Sequence, residues 1–117
     1  MSRRTKLLFV CSQNRIRSLT AESLFKSSTE FEARSVGTER DARIKITAGD
    51  IGWADLIFTM EPRHRERMRR RYQDALERKR VVCLFIPDEY EPMAGDLIAV
   101  LRERLAPHLP DIAFDAT

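Results

Sequence analysis

A cysteine at position 11 is followed six residues later by Arg17 and then by Ser18, in the run Cys11-Ser12-Gln13-Asn14-Arg15-Ile16-Arg17-Ser18. These residue types at this spacing suit the capture of a tetrahedral oxyanion. A loop that enters a helix turns several backbone N–H groups inward and forms an anion nest. Arg17 can add two parallel hydrogen bonds to the same anion. A thiol at the mouth of the nest feels both the helix dipole and the guanidinium, and each favours the thiolate. The thiolate is a nucleophile aimed at whatever the nest holds. Ser18 can donate a hydrogen bond to the sulfur. The spacing alone is common in a chain with 21 Lys+Arg; its weight comes from its place between a strand and a helix. The competing reading is a buried structural cysteine at a strand end.

The elements that must position this run are legible as alternating strands and helices. Residues 6–11 form a short apolar run that reads as a buried strand. Residues 18–28 place Leu19, Ala21, Leu24 and Phe25 on one side and suit a helix. A weaker strand over 31–36 is ended by Gly37, and 46–51 read as a short helix with Thr47 as N-cap. Residues 54–60 form a second central strand, Pro62 opens a charged helix through about Tyr72, and 80–86 form a further strand closed by Pro87. Residues 95–105 form the last helix, stopped before Pro107. Such alternation predicts an α/β fold with parallel strands and right-handed helical crossovers. The continuous apolar runs predict a sheet covered on both faces. Ligands in such sheets sit beyond the carboxyl ends of the strands, where strand order reverses. Chemistry is therefore expected just after Cys11, Val36, Met60 and Ile86.

With 117 residues, 43% of them hydrophobic and 33% charged, the chain has enough apolar content for one packed core and reads as a single domain over 1–117. Net charge is +3, a near balance that a dedicated nucleic-acid binder does not show, so nucleic acid is not expected as a partner. Two cysteines make no disulfide framework, which predicts a reducing, cytoplasmic setting. No apolar run approaches the ~20 residues of a membrane span. The basic opening Met1-Ser2-Arg3-Arg4 precedes an apolar stretch of only Leu7 to Val10, too short for a signal-peptide core.

Cys11-x5-Arg17-Ser18 after an apolar strand, with Asn14 in the loop and Ala21-Glu22 in the helix, resembles the low-molecular-weight protein tyrosine phosphatases. Ser35-Val36-Gly37-Thr38, the strand from Trp53 to Glu61, and Asp88-Glu89-Tyr90 are similar to that family in the same order, so the likeness spans nearly the whole chain. It implies one domain with a four-stranded parallel sheet and helices on both faces. It also implies phosphomonoester hydrolysis through a cysteinyl-phosphate, with phosphotyrosine in protein as the leading substrate. Cys11 would attack phosphorus. The loop residues Ser12, Gln13, Asn14, Arg15, Ile16, Arg17 and Ser18 would bind the phosphate, with Arg17 on the equatorial oxygens. Asp88 would protonate the leaving oxygen and then activate water. Asn14 and Ser35 would brace the loop, and Ser18 would stabilise the thiolate. The scheme needs no metal and no cofactor. Its partners are a phosphorylated protein or small phosphomonoester, with inorganic phosphate as product and no membrane.

Several positions depart from the family pattern. Gln13 stands where the family usually has Gly, a residue suited to positive φ. Arg15 replaces an apolar residue that usually lines the pocket rim, and would either add positive charge near the phosphate or point into solvent. Ile16 replaces a second cysteine that can form a protective disulfide. Only fourteen residues separate Thr38 from Trp53, and none is the aromatic that walls the phosphotyrosine pocket. That predicts a pocket shallower on this side and bears directly on phosphotyrosine selectivity. Glu89 replaces a proline and is the second choice as acid.

Other candidates read more plainly. Cys83 is expected as a small buried strand residue; its functional alternative is a resolving thiol. The basic stretch 63–71 is expected as a solvated helix face, the alternative being a docking surface for an acidic protein or nucleic acid. His64 and His108 lack zinc-ligand spacing and are expected at the surface. Trp53 is expected to pack, and Tyr90 to stack on a substrate ring at the pocket mouth. Two rival functions remain: an arsenate reductase that uses Cys11 with an external thiol, and a non-catalytic phosphate- or phosphoprotein-binding module.

Overall fold

Four parallel strands form one sheet in the order β2-β1-β3-β4, with β1 spanning Thr5–Cys11, β2 Phe31–Gly37, β3 Leu56–Thr59 and β4 Arg80–Cys83. The structure is a computed structural model that describes residues 3–109. Met1, Ser2 and residues 110–117, included in the single-domain expectation, lie outside the described residues. The helices are α1 (Arg17–Ser23), α2 (Ala48–Trp53), α3 (Pro62–Leu76) and α4 (Gly95–Leu105). This is the α/β architecture that the alternation predicts.

The central strand shows why the sheet is covered on both faces. Successive side chains of a strand point to opposite sides. Leu7, Phe9 and Cys11 enter one core with Leu24 and Phe25 from the α1 region and Leu97, Leu101 and Leu105 from α4. Leu8 and Val10 enter the other core with Ile51 of α2 and Met68 of α3. Phe9 stacks between Phe25 at 5.7 Å and Phe58 at 5.5 Å. Burying one such ring contributes about 1.5–3 kcal/mol. The same alternation turns the Cys11 side chain toward α1, where Ser18 waits.

Strand order reverses between β1, which leads outward to β2, and β3, which lies on its other side. The two crossovers diverge there and leave a crevice at the carboxyl ends. The loop that follows Cys11 occupies that crevice.

Several boundaries differ from the sequence expectations. Helix α1 ends at Ser23 rather than 28: from Leu24 the chain tightens into i→i+3 bonds, Leu24 N to Ala21 O and Phe25 N to Glu22 O, each 3.1 Å. Ser28 then uses its hydroxyl to accept from Glu30 N and Phe31 N, which favours a turn over a helix. Strand β4 stops at Cys83 because Phe85 adopts φ 55° and cannot continue it. Helix α3 runs past Tyr72 to Leu76, but Tyr72 leaves helical geometry at φ −133° and ψ 38°, its hydroxyl donating to Ile46 O at 3.1 Å. Thr47 caps α2 as expected, with Asp50 completing the reciprocal bonds of a capping box.

Candidate active site

The loop from Ser12 to Ile16 is held open from outside by the short segment after β2. Thr38 N donates to Cys11 O at 2.9 Å, Glu39 N to Ser12 O at 3.0 Å and Arg43 N to Gln13 O at 2.9 Å. Arg43 Nε donates to Asn14 O at 3.0 Å. Four consecutive carbonyls therefore point outward. Among the described residues no peptide is cis, and in a trans peptide the N–H points opposite the C=O. The N–H groups of Ser12, Gln13, Asn14 and Arg15 consequently face inward, as Asn14 N shows by donating to Cys11 Sγ at 3.2 Å. The nest is a product of residues 38–43 as much as of the loop.

Gly37 is essential to that arrangement. A Cβ on it would stand 2.5 Å from Ser12 O and 2.5 Å from the Ala42 side chain. The positive φ of the loop falls on Asn14, at 58°, and not on Gln13. Asparagine tolerates that region, so Gln13 in place of glycine carries no backbone strain.

Cys11 is buried at the base of the loop. Its Sγ lies 3.0 Å from Ser18 Oγ. Asn14 Nδ2 donates to Ser18 Oγ at 2.7 Å, and Val36 O lies 3.4 Å from the same hydroxyl. Ser18 therefore receives its hydrogen bond from Asn14 and keeps its own proton for the nearer sulfur. A thiolate at this point accepts from Asn14 N and Ser18 Oγ together.

Arg17 is 2% exposed. Its Nη1 donates to Glu61 Oε2 at 2.5 Å and to Ile86 O at 2.8 Å. Nε lies 3.9 Å from Asp88 Oδ1. With Nη1 engaged, the Nε–Nη2 edge is left for an anion, a fork that matches two oxygens of a phosphate. Burial by itself pushes the Glu61 carboxyl up, but hydrogen bonds from Arg17 and Arg63 outweigh it and hold it below its ordinary value. Glu61 is thus a fixed negative charge beneath Arg17.

Cys11, Ser12, Gln13, Arg15, Arg17 and Asp88 line a single cavity of about 120 Å³ with Ile16. A larger groove of about 770 Å³ runs beside Arg69 and Asp74 of α3, but it contains no nucleophile. Volume alone does not locate chemistry here; the small cavity holds the thiol, the guanidinium and a carboxyl.

The remaining sequence candidates fall in different places. Ser35 does not reach the loop; its hydroxyl donates to Glu22 Oε1 at 2.5 Å, because its strand position faces α1. Tyr90 is half-buried against the α1–α4 core and, like exposed Glu89, is absent from the cavity lining. Arg15 is exposed at the rim and makes a long contact of 3.4 Å to Asp41 O. Cys83, expected to be buried, is only half-buried, since β4 is an edge strand. Trp53 packs as expected and lies 4.1 Å beneath the Arg34 guanidinium. Of the basic stretch, Arg63 pairs with Glu61 at 2.9 Å and Arg67 with Glu39 at 2.6 Å, while Met68 enters the core.

His64 reverses the sequence expectation most completely. It is fully buried, and His108, also expected at the surface, packs edge-on to Phe58 at 6.1 Å. Among the described residues, neither belongs to a group of three or more side chains able to hold a metal. His64 Nδ1 accepts from Glu61 N at 3.0 Å, and Nε2 lies 2.9 Å from Ser12 Oγ. Burial, with the charges of Arg17 and Arg63, lowers its pKa to about 3. The available signal was the position of His64 three residues after Glu61, at the third place of a proline-opened helix, where a side chain can reach back to cap.

The fold matches that of solved low-molecular-weight protein tyrosine phosphatases. No family model matches the sequence, and no curated relative does; the likeness is carried by solved structures. The low-molecular-weight protein tyrosine phosphatase of Streptococcus pyogenes superposes with a TM-score of 0.72 at 17% identity, covering 92% of this chain and 95% of that one. The tyrosine phosphatase amsI of Erwinia amylovora gives 0.71 at 20% identity, covering 93% and 95%. The YwlE arginine phosphatase of Geobacillus stearothermophilus gives 0.65 at 20% identity, covering 89% and 92%. Among the described residues, no helix is long and apolar enough to cross a membrane.

Proposed function

We propose that the protein is a cysteine-dependent phosphomonoester hydrolase. The observation that carries this reading is the convergence of Cys11, Arg17 and Asp88 on one cavity whose base is a ring of inward N–H groups. Binding alone would need neither the thiol nor the acid. In the first step the Cys11 sulfur bonds to phosphorus, the ester P–O bond breaks, and Asp88 passes its proton to the leaving oxygen. Negative charge on the equatorial oxygens is met by the loop N–H groups and by the Nε–Nη2 edge of Arg17. In the second step water bonds to phosphorus, the S–P bond breaks, and Asp88 takes the water proton. Inorganic phosphate leaves and the thiolate is restored.

Protein phosphotyrosine is the substrate we infer, over the phosphoarginine that the YwlE structure's name suggests. Arg15 places a cation on the cavity lining, and a protonated guanidinium leaving group beside it is repelled, whereas a phenolate is not. The free thiols suit a reducing compartment, and we place the protein in the cytoplasm.

The test is hydrolysis of para-nitrophenyl phosphate and of phosphoarginine by wild type and Cys11→Ser, with reductant and without added metal. We expect aryl phosphate turnover that Cys11→Ser abolishes while phosphate binding survives. Faster phosphoarginine turnover would overturn the substrate assignment. A folded wild type with no turnover would transfer the reading to an arsenate reductase using an external thiol, or to a phosphate-binding module.

A further inference from the structure

One imidazole touches both halves of the anion site. His64 Nδ1 accepts the Glu61 N–H, so the ring proton sits on Nε2 and is donated to Ser12 Oγ at 2.9 Å. Ser12 opens the loop and has its carbonyl tied to Glu39 N at 3.0 Å. Held at side chain and carbonyl, Ser12 fixes the peptide planes on either side of it, and with them the aim of the Ser12 and Gln13 N–H groups. On the other side, the backbone of Glu61 is pinned by the same ring while its carboxylate holds Arg17 Nη1. His64 is fully buried, is absent from the cavity lining and contacts neither Cys11 nor Asp88 by a hydrogen bond or ion pair.

We propose that His64 is a positioning residue of the phosphate site, setting the loop N–H groups through Ser12 and the Arg17 fork through Glu61. The inference rests on the phosphatase reading for its kinetic consequence but not for its binding consequence. Transition-state charge lies on oxygens held by both sets of donors, so a small rotation of Ser12 weakens the loop N–H contacts and a shift of Glu61 weakens those of Arg17.

Two side chains separate the two contacts of the ring. In His64→Gln the amide nitrogen lies as many bonds from Cα as Nε2 and can still donate to Ser12, but nothing replaces the Nδ1 acceptor. In His64→Asn the carbonyl oxygen stands in for Nδ1 and can cap Glu61 N, but the side chain is too short for Ser12. We expect His64→Asn to lose about ten-fold or more in kcat/KM, chiefly in kcat, and to weaken inorganic phosphate binding. His64→Gln should retain more of both, although the lost cap makes it the less stable in denaturant. Ser12→Ala should reproduce the His64→Asn loss, and the double variant should lose no more than either single one.

A purely structural role predicts the reverse order, with activity following stability and His64→Gln the poorer enzyme; that order would overturn the proposal. So would additive losses in the double variant. If wild type does not hydrolyse aryl phosphates, phosphate titration of wild type and the same four variants still decides the question. A failure of the phosphatase reading is thereby distinguishable from a failure of this one. Should either His64 variant not fold, Ser12→Ala remains, and unchanged phosphate affinity in it would sink the inference.

Discussion

At the residue scale, the site is a division of labour among atoms of the same side chain. Arg17 gives Nη1 to Glu61 and Ile86 and keeps its other edge for the anion. Ser18 takes a hydrogen bond from Asn14 and gives its own proton toward sulfur. Asp88 stands apart, 59% exposed and 3.9 Å from Arg17 Nε, on the cavity lining. The role of acid proposed for it predicts a dependence on the leaving group. Asp88→Asn should slow a phenyl phosphate, with its basic leaving oxygen, by about 10²–10⁴-fold. It should slow an activated nitrophenyl ester much less. Equal slowing, read from kcat on the two substrates, would move the acid role elsewhere, first to Glu89. That Cys11, Arg17 and Asp88 line one cavity was legible in the sequence, because their order after β1 and β4 places them at the carboxyl ends of the strands. The burial of His64 was missed, because its one cue, the third place of a proline-opened helix, speaks of a cap and not of the contact with Ser12. Ser35 misled for the same reason: its hydroxyl has two possible neighbours, and only the packing of α1 selects Glu22.

At the scale of elements, the segment between β2 and α2 changes its meaning once folded. In sequence its brevity reads as a missing pocket wall. In the structure it is a strap across the loop carbonyls, returning through Gly37 N to Ile44 O at 2.8 Å and Ile46 N to Gly37 O at 3.0 Å. The strap can lie this close only because residue 37 has no side chain. Gly37→Ala should therefore destabilise the fold by about 1–3 kcal/mol in denaturant titration and weaken phosphate binding alongside. Gly52→Ala, in α2 with open space around it, is the control and should be neutral or slightly stabilising. Equal behaviour of the two variants would remove the strap from the account. The strands and helices were legible because apolar runs and proline positions report on local structure. Their ends were less so: the positive φ of Phe85 and the turn at Ser28 depend on contacts that no short window contains.

At the scale of the whole molecule, alternating elements announce a parallel sheet but not which strands are neighbours. In the order β2-β1-β3-β4 the strand β1 is internal, and it is buried on both faces, with Leu8 and Val10 under one helical layer and Leu7 and Phe9 under another. The folded molecule also carries an acid sensitivity. His64 takes up its proton only near pH 3 in the folded state, against 6.5 ordinarily. The unfolded chain binds that proton first, so stability falls as pH drops from about 6.5 toward 3, by at most about 1.4 kcal/mol per pH unit. Asp55, held at about 2 by Arg3 and by the Lys6 N–H, adds stability above its ordinary 3.8 that is lost as pH falls through 2. Denaturant midpoints measured from pH 7.5 to 4 should fall steadily in wild type and much less steeply in His64→Gln. Parallel slopes would show that His64 is not neutral in the folded protein.

The outward-facing carbonyls of residues 11–14 bear on what capture of an anion costs. A loop whose acceptors are already engaged has little chain entropy left to lose. The guest meets a rigid host, and the free energy of entry is governed by water displaced and charge neutralised. On the proposed function, empty and occupied hosts would share one shape, and selection among tetrahedral guests would fall to their size and charge.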